Sequence, residues 1–160
     1  MKIIERFFKL VEDLLRVVAF VLLTLMVVNI AGNVLLRYVF KIPIAWTEEL
    51  ARYLMIWLSF FGMSLALKRD EHVNLSFFTS LFPGRIERIL IFLSRIIILI
   101  FLVFVFYHSL KIIPVLSKQK SSALQIPMYY PYLSVTVGSA LMILHVFYLF
   151  LFGKPGNNKI

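Results

Sequence analysis

The chain has 160 residues, 61% of them hydrophobic, with a mean hydropathy of +0.92, far above a soluble domain of this size. Its net charge of +9 comes mostly from lysines and arginines beside apolar runs, where they mark a membrane–water boundary; membrane lipid is therefore an expected partner and nucleic acid is not. The absence of cysteine excludes disulfides, thiolate metal sites and thiol catalysis.

The N-terminal stretch MKIIERFFKLVEDLLRVV has apolar residues at helical spacing with charges opposite. This predicts a helix lying on the membrane surface that leads into the first span. A signal peptide is the competing reading, but Glu5, Glu12 and Asp13 intrude, the apolar run is too long and no small-residue cleavage site follows; the segment is expected to be retained. The first span is expected over 17–36, close to the ~20 residues that cross a bilayer core. Asn29, Gly32 and Asn33 form a polar, small strip on it, which should face protein and not lipid, although an asparagine can also bond its own helix.

The second span is expected over 50–67, entered through Pro43 and Trp46 and carrying Trp57. Ser59, Gly62 and Ala66 recur at spacings of three and four, a stripe that lets another helix approach closely. Arg37, Glu48, Glu49 and Arg52 gather at one end of the first two spans. Glu48 and Glu49 lie four and three residues before Arg52, so one helix face could pair them, as a polar network or as a plain interfacial charge cluster. After Lys68-Arg69-Asp70-Glu71-His72 comes HVNLSFFTSLFPG, too short to span and read as an amphipathic interfacial helix over about 73–82, ended by Pro83-Gly84.

The third span is expected over 89–107, with Arg88 and Arg95 on one face. These arginines, with Trp46 and Trp57, are the expected membrane anchors; Arg95 lies deep enough to call for a protein or lipid-phosphate partner. The segment SLKIIPVLSKQKSSALQIPMYYP is punctuated by prolines that stop a helix, while its leucines and tyrosines suggest docking on a surface. The fourth span is expected over 132–152, free of formal charge, with Ser134 and Gly138 as its small pair. The fold class is thus all-α integral membrane: one domain over 1–160, four transmembrane helices and amphipathic interfacial segments.

Four spans place both termini on one side. That side would carry eleven lysines and arginines against six on the other, so both termini are expected in the cytoplasm. Candidate chemistry is sparse. His108 and His145 fall at unmatched depths, since His145 lies about fourteen residues, or roughly 20 Å, into its span. They do not suit paired haem ligation. There is no zinc spacing, phosphate-binding glycine loop or activated nucleophile. No acid is expected at mid-bilayer, where relays for protons or ions normally keep one. The chain is expected to carry no metal or cofactor, not to be an enzyme, and to depend on a partner.

The runs NVLLRYVF, AWTEELARYLMIWLSFFGMSLALKRDEHVNL and SSALQIPMYYPYLSVTVGSALM resemble the small membrane subunit of tripartite ATP-independent periplasmic (TRAP) transporters. The likeness rests on length, four-span layout and the order of Arg37, Trp46-x-Glu48-Glu49, Trp57, Gly62, Arg69 and His72, and it covers most of the chain, weakest at the two ends. It implies a bacterial inner-membrane protein in a three-part machine. A periplasmic substrate-binding protein captures an organic anion, of the sialic acid or C4-dicarboxylate class. A large membrane subunit carries it inward with sodium by an elevator motion, and the small subunit is its fixed scaffold. On that reading Asn29, Gly32, Asn33, Ser59, Gly62, Ala66, Ser134 and Gly138 pack against the large subunit. Lys41, Lys111, Lys118 and Lys120 then give the outer face a positive charge that steers the binding protein. The rivals are a small homodimeric exporter, which should show a carboxylate inside a span, and a membrane anchor for electron transfer, which should show histidines at matched depth.

Overall fold

The computed structural model describes residues 2–42, 44–68 and 84–152. Four helices account for most of them: α1 (Lys2–Tyr38), α2 (Ala45–Lys68), α3 (Gly84–Leu116) and α4 (Tyr129–Phe152). Each contains a stretch long and apolar enough to cross a membrane. The interfacial helix expected over 73–82, His72 and the GKPGNNKI tail lie outside the described residues.

Packing follows the order α1, α2, α4, α3, with α1 and α3 at the two edges. The two middle helices run parallel: Ser64 meets His145 and Phe60 abuts Gly138. What permits this approach is Gly138, where an added Cβ would stand 2.6 Å from the Cβ of Phe60. The interior lies between α2, α3 and α4, with Leu67, Leu102, Met142, Val146 and Leu149 buried together. A buried hydroxyl pair, Thr136 donating to Ser109 at 2.9 Å, joins α4 to α3 where amides or charges would be costly.

Two expectations change. The N-terminal amphipathic segment leads directly into the first span as one helix, but it packs against α4 where a surface position was expected. Its Phe8 is buried, with the ring 4.5 Å from that of Tyr148 on α4; burying an aromatic ring outweighs the exposure of a helix turn. Glu12 and Asp13 consequently stand within the length of the bundle. Counted back from the contact of Asn29 with Thr47, Glu12 is level with about Ser64 and Arg16 with about Phe60. Both acids are ion-paired with Arg16, which lowers the cost of their position.

The third helix also continues past its expected end. Pro114 falls in its last turn, so its missing N–H and ring disturb only the carbonyl of Leu110, one turn back. Ser117 then closes the helix, its N–H donating to Ile113 and its hydroxyl to Pro114. The connection to α4 folds back as a small hairpin: Lys120 bridges Pro127, Ser121 N–H donates to Ile126 and Met128 N–H to Gln119.

Candidate functional site

The first turn of α2 sets the geometry at the end of the bundle where the connections 39–44 and 117–128 lie. Thr47 donates its hydroxyl to the Ile44 carbonyl, while its own carbonyl accepts Asn29 Nδ2 from α1 at 2.8 Å. Glu48 and Glu49 follow. Neighbours in a helix point about 100° apart, and the two carboxylates have different fates. Glu48 is exposed and lies 3.5 Å from Arg37. Glu49 is 4% exposed and turns toward the hairpin.

There Glu49 Oε2 accepts the N–H groups of Ala123 and Leu124 at 2.8 and 3.0 Å. Its Oε1 accepts the hydroxyl of Tyr53, one turn along α2. The Tyr53 oxygen lies 3.4 Å from Met128 Sδ, and Ser121 is buried beside the same carboxylate. The hairpin tip has Gln125 at φ 55° and gives two successive amides, those of Ala123 and Leu124, to Glu49. A carboxylate satisfies two such donors with charge-assisted bonds. This arrangement holds a loop.

The pairing of Arg52 with Glu48 or Glu49 is therefore not formed. Those acids engage Arg37 and the hairpin, and among the described residues Arg52 is exposed and outside any ion pair. The small and polar strips also divide. Ser134 and Gly138 are buried inside the chain's own bundle, Ser134 donating to the Pro131 carbonyl at 2.6 Å and Gly138 lying against Phe60. Gly138 is taken up by α2 and Ser134 by the interior of the bundle, which corrects their assignment to a partner surface. Asn29 is spent on Thr47, joining α1 to α2. By contrast Ser59 and Gly62 are exposed and Ala66 half-buried, with open space around an added Cβ at Gly62. Gly32 has the same open space, and Asn33 is half-buried.

Of the expected anchors, Trp46 is exposed and Trp57 half-buried. Trp57 lines an apolar groove of about 710 Å³ between α1, α2 and the start of α4, with Leu22, Tyr53 and Tyr130. Arg95 reaches α4, its Nη1 donating to the Leu149 carbonyl at 3.2 Å; the side chain of Arg88 lies outside the described part. Lys118 and Lys120 are exposed on the hairpin, as is Lys41 after α1 at φ 55°. Lys111 is set apart from them, its Nζ 4.3 Å from the centre of the Tyr107 ring. The two described histidines occupy separate places. His145 is fully buried, its Nδ1 within 3.0 Å of both the hydroxyl and the carbonyl of Ser64, whereas His108 is exposed and bonded to Phe104 of its own helix.

Sequence reasoning missed Tyr53 and the hairpin amides as partners of Glu49. The i, i+4 spacing of Glu49 and Tyr53 was a usable signal; nothing local marked the amides 74 and 75 residues away.

The family model of the tripartite ATP-independent periplasmic transporters, DctQ component, matches residues 26–152. The chain belongs to the DctQ component family. A TRAP transporter small permease protein of Haemophilus influenzae is 36% identical over 90 residues, 56% of each chain. The sialic acid TRAP transporter small permease protein SiaQ of Vibrio cholerae is 26% identical over 92 residues, 58% of this chain and 53% of its own. The isethionate TRAP transporter permease protein DctMQ of Oleidesulfovibrio alaskensis is 32% identical over 99 residues, 61% of this chain but 16% of that much longer one. The chain thus spans about half the length of the small relatives and a small part of the long one. The DctQ match begins inside α1, leaving the Glu12–Arg16 charges before it, and it includes both Glu49 and the hairpin it holds.

Proposed function

We propose that the chain is the small scaffold subunit of a sodium-driven TRAP transporter that imports an organic anion delivered by a periplasmic binding protein. The observation that carries this reading is the DctQ family match over residues 26–152. The sialic acid and isethionate named for its relatives are both small organic anions, which supports a substrate of that class, a sialic acid or C4-dicarboxylate included. The chain lies in the bacterial inner membrane with both termini cytoplasmic. It packs against a large membrane subunit that holds the substrate and sodium sites and moves them in an elevator motion. The stripe of exposed Ser59 and Gly62 with half-buried Ala66, and Gly32 with Asn33, contribute to that packing. Lys118 and Lys120, on a hairpin fixed by Glu49, help dock the binding protein together with Lys41. Co-expression of tagged chain with the large permease of its transporter tests the assembly. A stoichiometric, detergent-stable complex is expected; two proteins that purify separately under every mild detergent tried would overturn it.

A further inference from the structure

Leu102 and Ser109 of α3 face α4, and among the described helices α3 packs on α4 alone. Its opposite face carries an apolar track that ends in polar groups. Steps of four, three, four, three and four residues place Leu93, Ile97, Ile100, Phe104, Tyr107 and Lys111 in one stripe of the helix. The first five are between 49% and 65% exposed, and Lys111 is exposed too. All lie within Ile89–Leu116, the part of α3 long and apolar enough to cross a membrane. From Leu93 to Phe104 the helix rises about 16 Å. That is close to half of the ~30 Å hydrocarbon core, the depth of one leaflet.

Three polar side chains close the track, with the Tyr107 ring as their common contact. Lys111 Nζ lies 4.3 Å from the centre of that ring, which is one turn back along α3. Its charge is thus drawn toward the track and away from the hairpin that carries Lys118 and Lys120. The His108 ring lies 5.4 Å from that of Tyr107 and 4.0 Å from that of Phe104. Its Nδ1 is 2.9 Å from the Phe104 carbonyl. A carbonyl only accepts, so Nδ1 carries the proton and Nε2 of the neutral ring is an acceptor. A cation, a phenol hydroxyl and an imidazole acceptor therefore stand at the end of an apolar track one leaflet deep. A phospholipid brings a matching charge and a matching chain in one molecule. The geometry points to a site on α3 for an anionic phospholipid of the phosphatidylglycerol class. One acyl chain lies along residues 93–104. The phosphate accepts from Lys111 Nζ and the Tyr107 hydroxyl, and a hydroxyl of the head group donates to His108 Nε2.

The test is native mass spectrometry of the full chain in detergent, with phosphatidylglycerol or phosphatidylcholine of the same acyl chains added. Wild type is expected to retain one phosphatidylglycerol about tenfold more tightly than phosphatidylcholine, as one charge-assisted contact would give. Lys111→Gln should abolish that preference and His108→Phe should reduce it, while Lys118→Gln with Lys120→Gln leaves it unchanged. Equal retention of the two lipids by wild type, a preference that survives Lys111→Gln, or one lost equally in the hairpin double variant would overturn the site. In membranes holding the chain with its large subunit, a photoreactive phenylalanine analogue at position 104 should label lipid; labelling of the large subunit or of a second copy of the chain overturns it as well. The site rests on the membrane location proposed above. A chain recovered soluble without detergent would remove that location and the site with it, whereas any of the other failures removes the site alone.

Discussion

Glu49 accepts three hydrogen bonds at one buried carboxylate, and two of them join parts of the chain 74 and 75 residues apart. Removing the acceptor leaves the Ala123 and Leu124 amides without it, and hydrogen bonds to a charged group are worth about 1.5–3 kcal/mol each. Glu49→Ala should therefore free the hairpin, with amide exchange at Ala123 and Leu124 at least tenfold faster than in wild type and little change at Ser64 or Val146. Tyr53→Phe removes one donor and should produce a smaller effect of the same sign. Unchanged exchange in Glu49→Ala would show that the hairpin is held by something else. This carboxylate was legible as part of a charged cluster, but its role was not. Spacing on one helix suggested Arg52, whereas the amides that claim it come from a turn whose shape only tertiary packing sets. Exposed ion pairs are worth about 0–1 kcal/mol, too little to hold Glu49 against that alternative.

At the scale of the helices, Gly62 and Gly138 look alike in the sequence and differ in the fold. The open space at Gly62 means that Gly62→Ala should leave the isolated chain as stable as wild type or slightly more so, because alanine favours helix by about 1 kcal/mol over glycine. At Gly138 an added Cβ collides with the Phe60 Cβ at 2.6 Å, and overpacking of this kind costs roughly 1–3 kcal/mol. Gly138→Ala should lower the melting temperature of the chain in detergent while Gly62→Ala does not; equal effects would contradict the packing described. Gly62→Leu reads a different property, since it should weaken co-purification with the large subunit without unfolding the chain. The four apolar helices were legible from run length and hydropathy. Their ends were less so. Phe8 extends α1 because Tyr148 of α4 buries it, and Pro114 does not stop α3 because it sits in the final turn. Which small stripe faced inward depended on the order α1, α2, α4, α3, which no local pattern encodes.

For the molecule as a whole, the fixed hairpin presents Lys118 and Lys120 at the end of the bundle where α1 and α3 finish. Charges so placed act mainly on association rate and orientation. Reversing both to glutamate should slow transport when binding protein is limiting and leave a smaller defect when it saturates. Added salt should weaken the wild-type interaction in the same direction, because the Debye length is already ~8 Å at physiological ionic strength. Equal transport by the double reversal at every binding-protein concentration would contradict the docking role. The central claim is that this chain supports transport without performing it. Uptake of labelled organic anion into proteoliposomes under an inward sodium gradient, with each component left out in turn, tests it most directly. The account predicts uptake only when the large subunit, this chain and the binding protein are all present; uptake by vesicles containing this chain alone, or undiminished uptake in its absence, would contradict it.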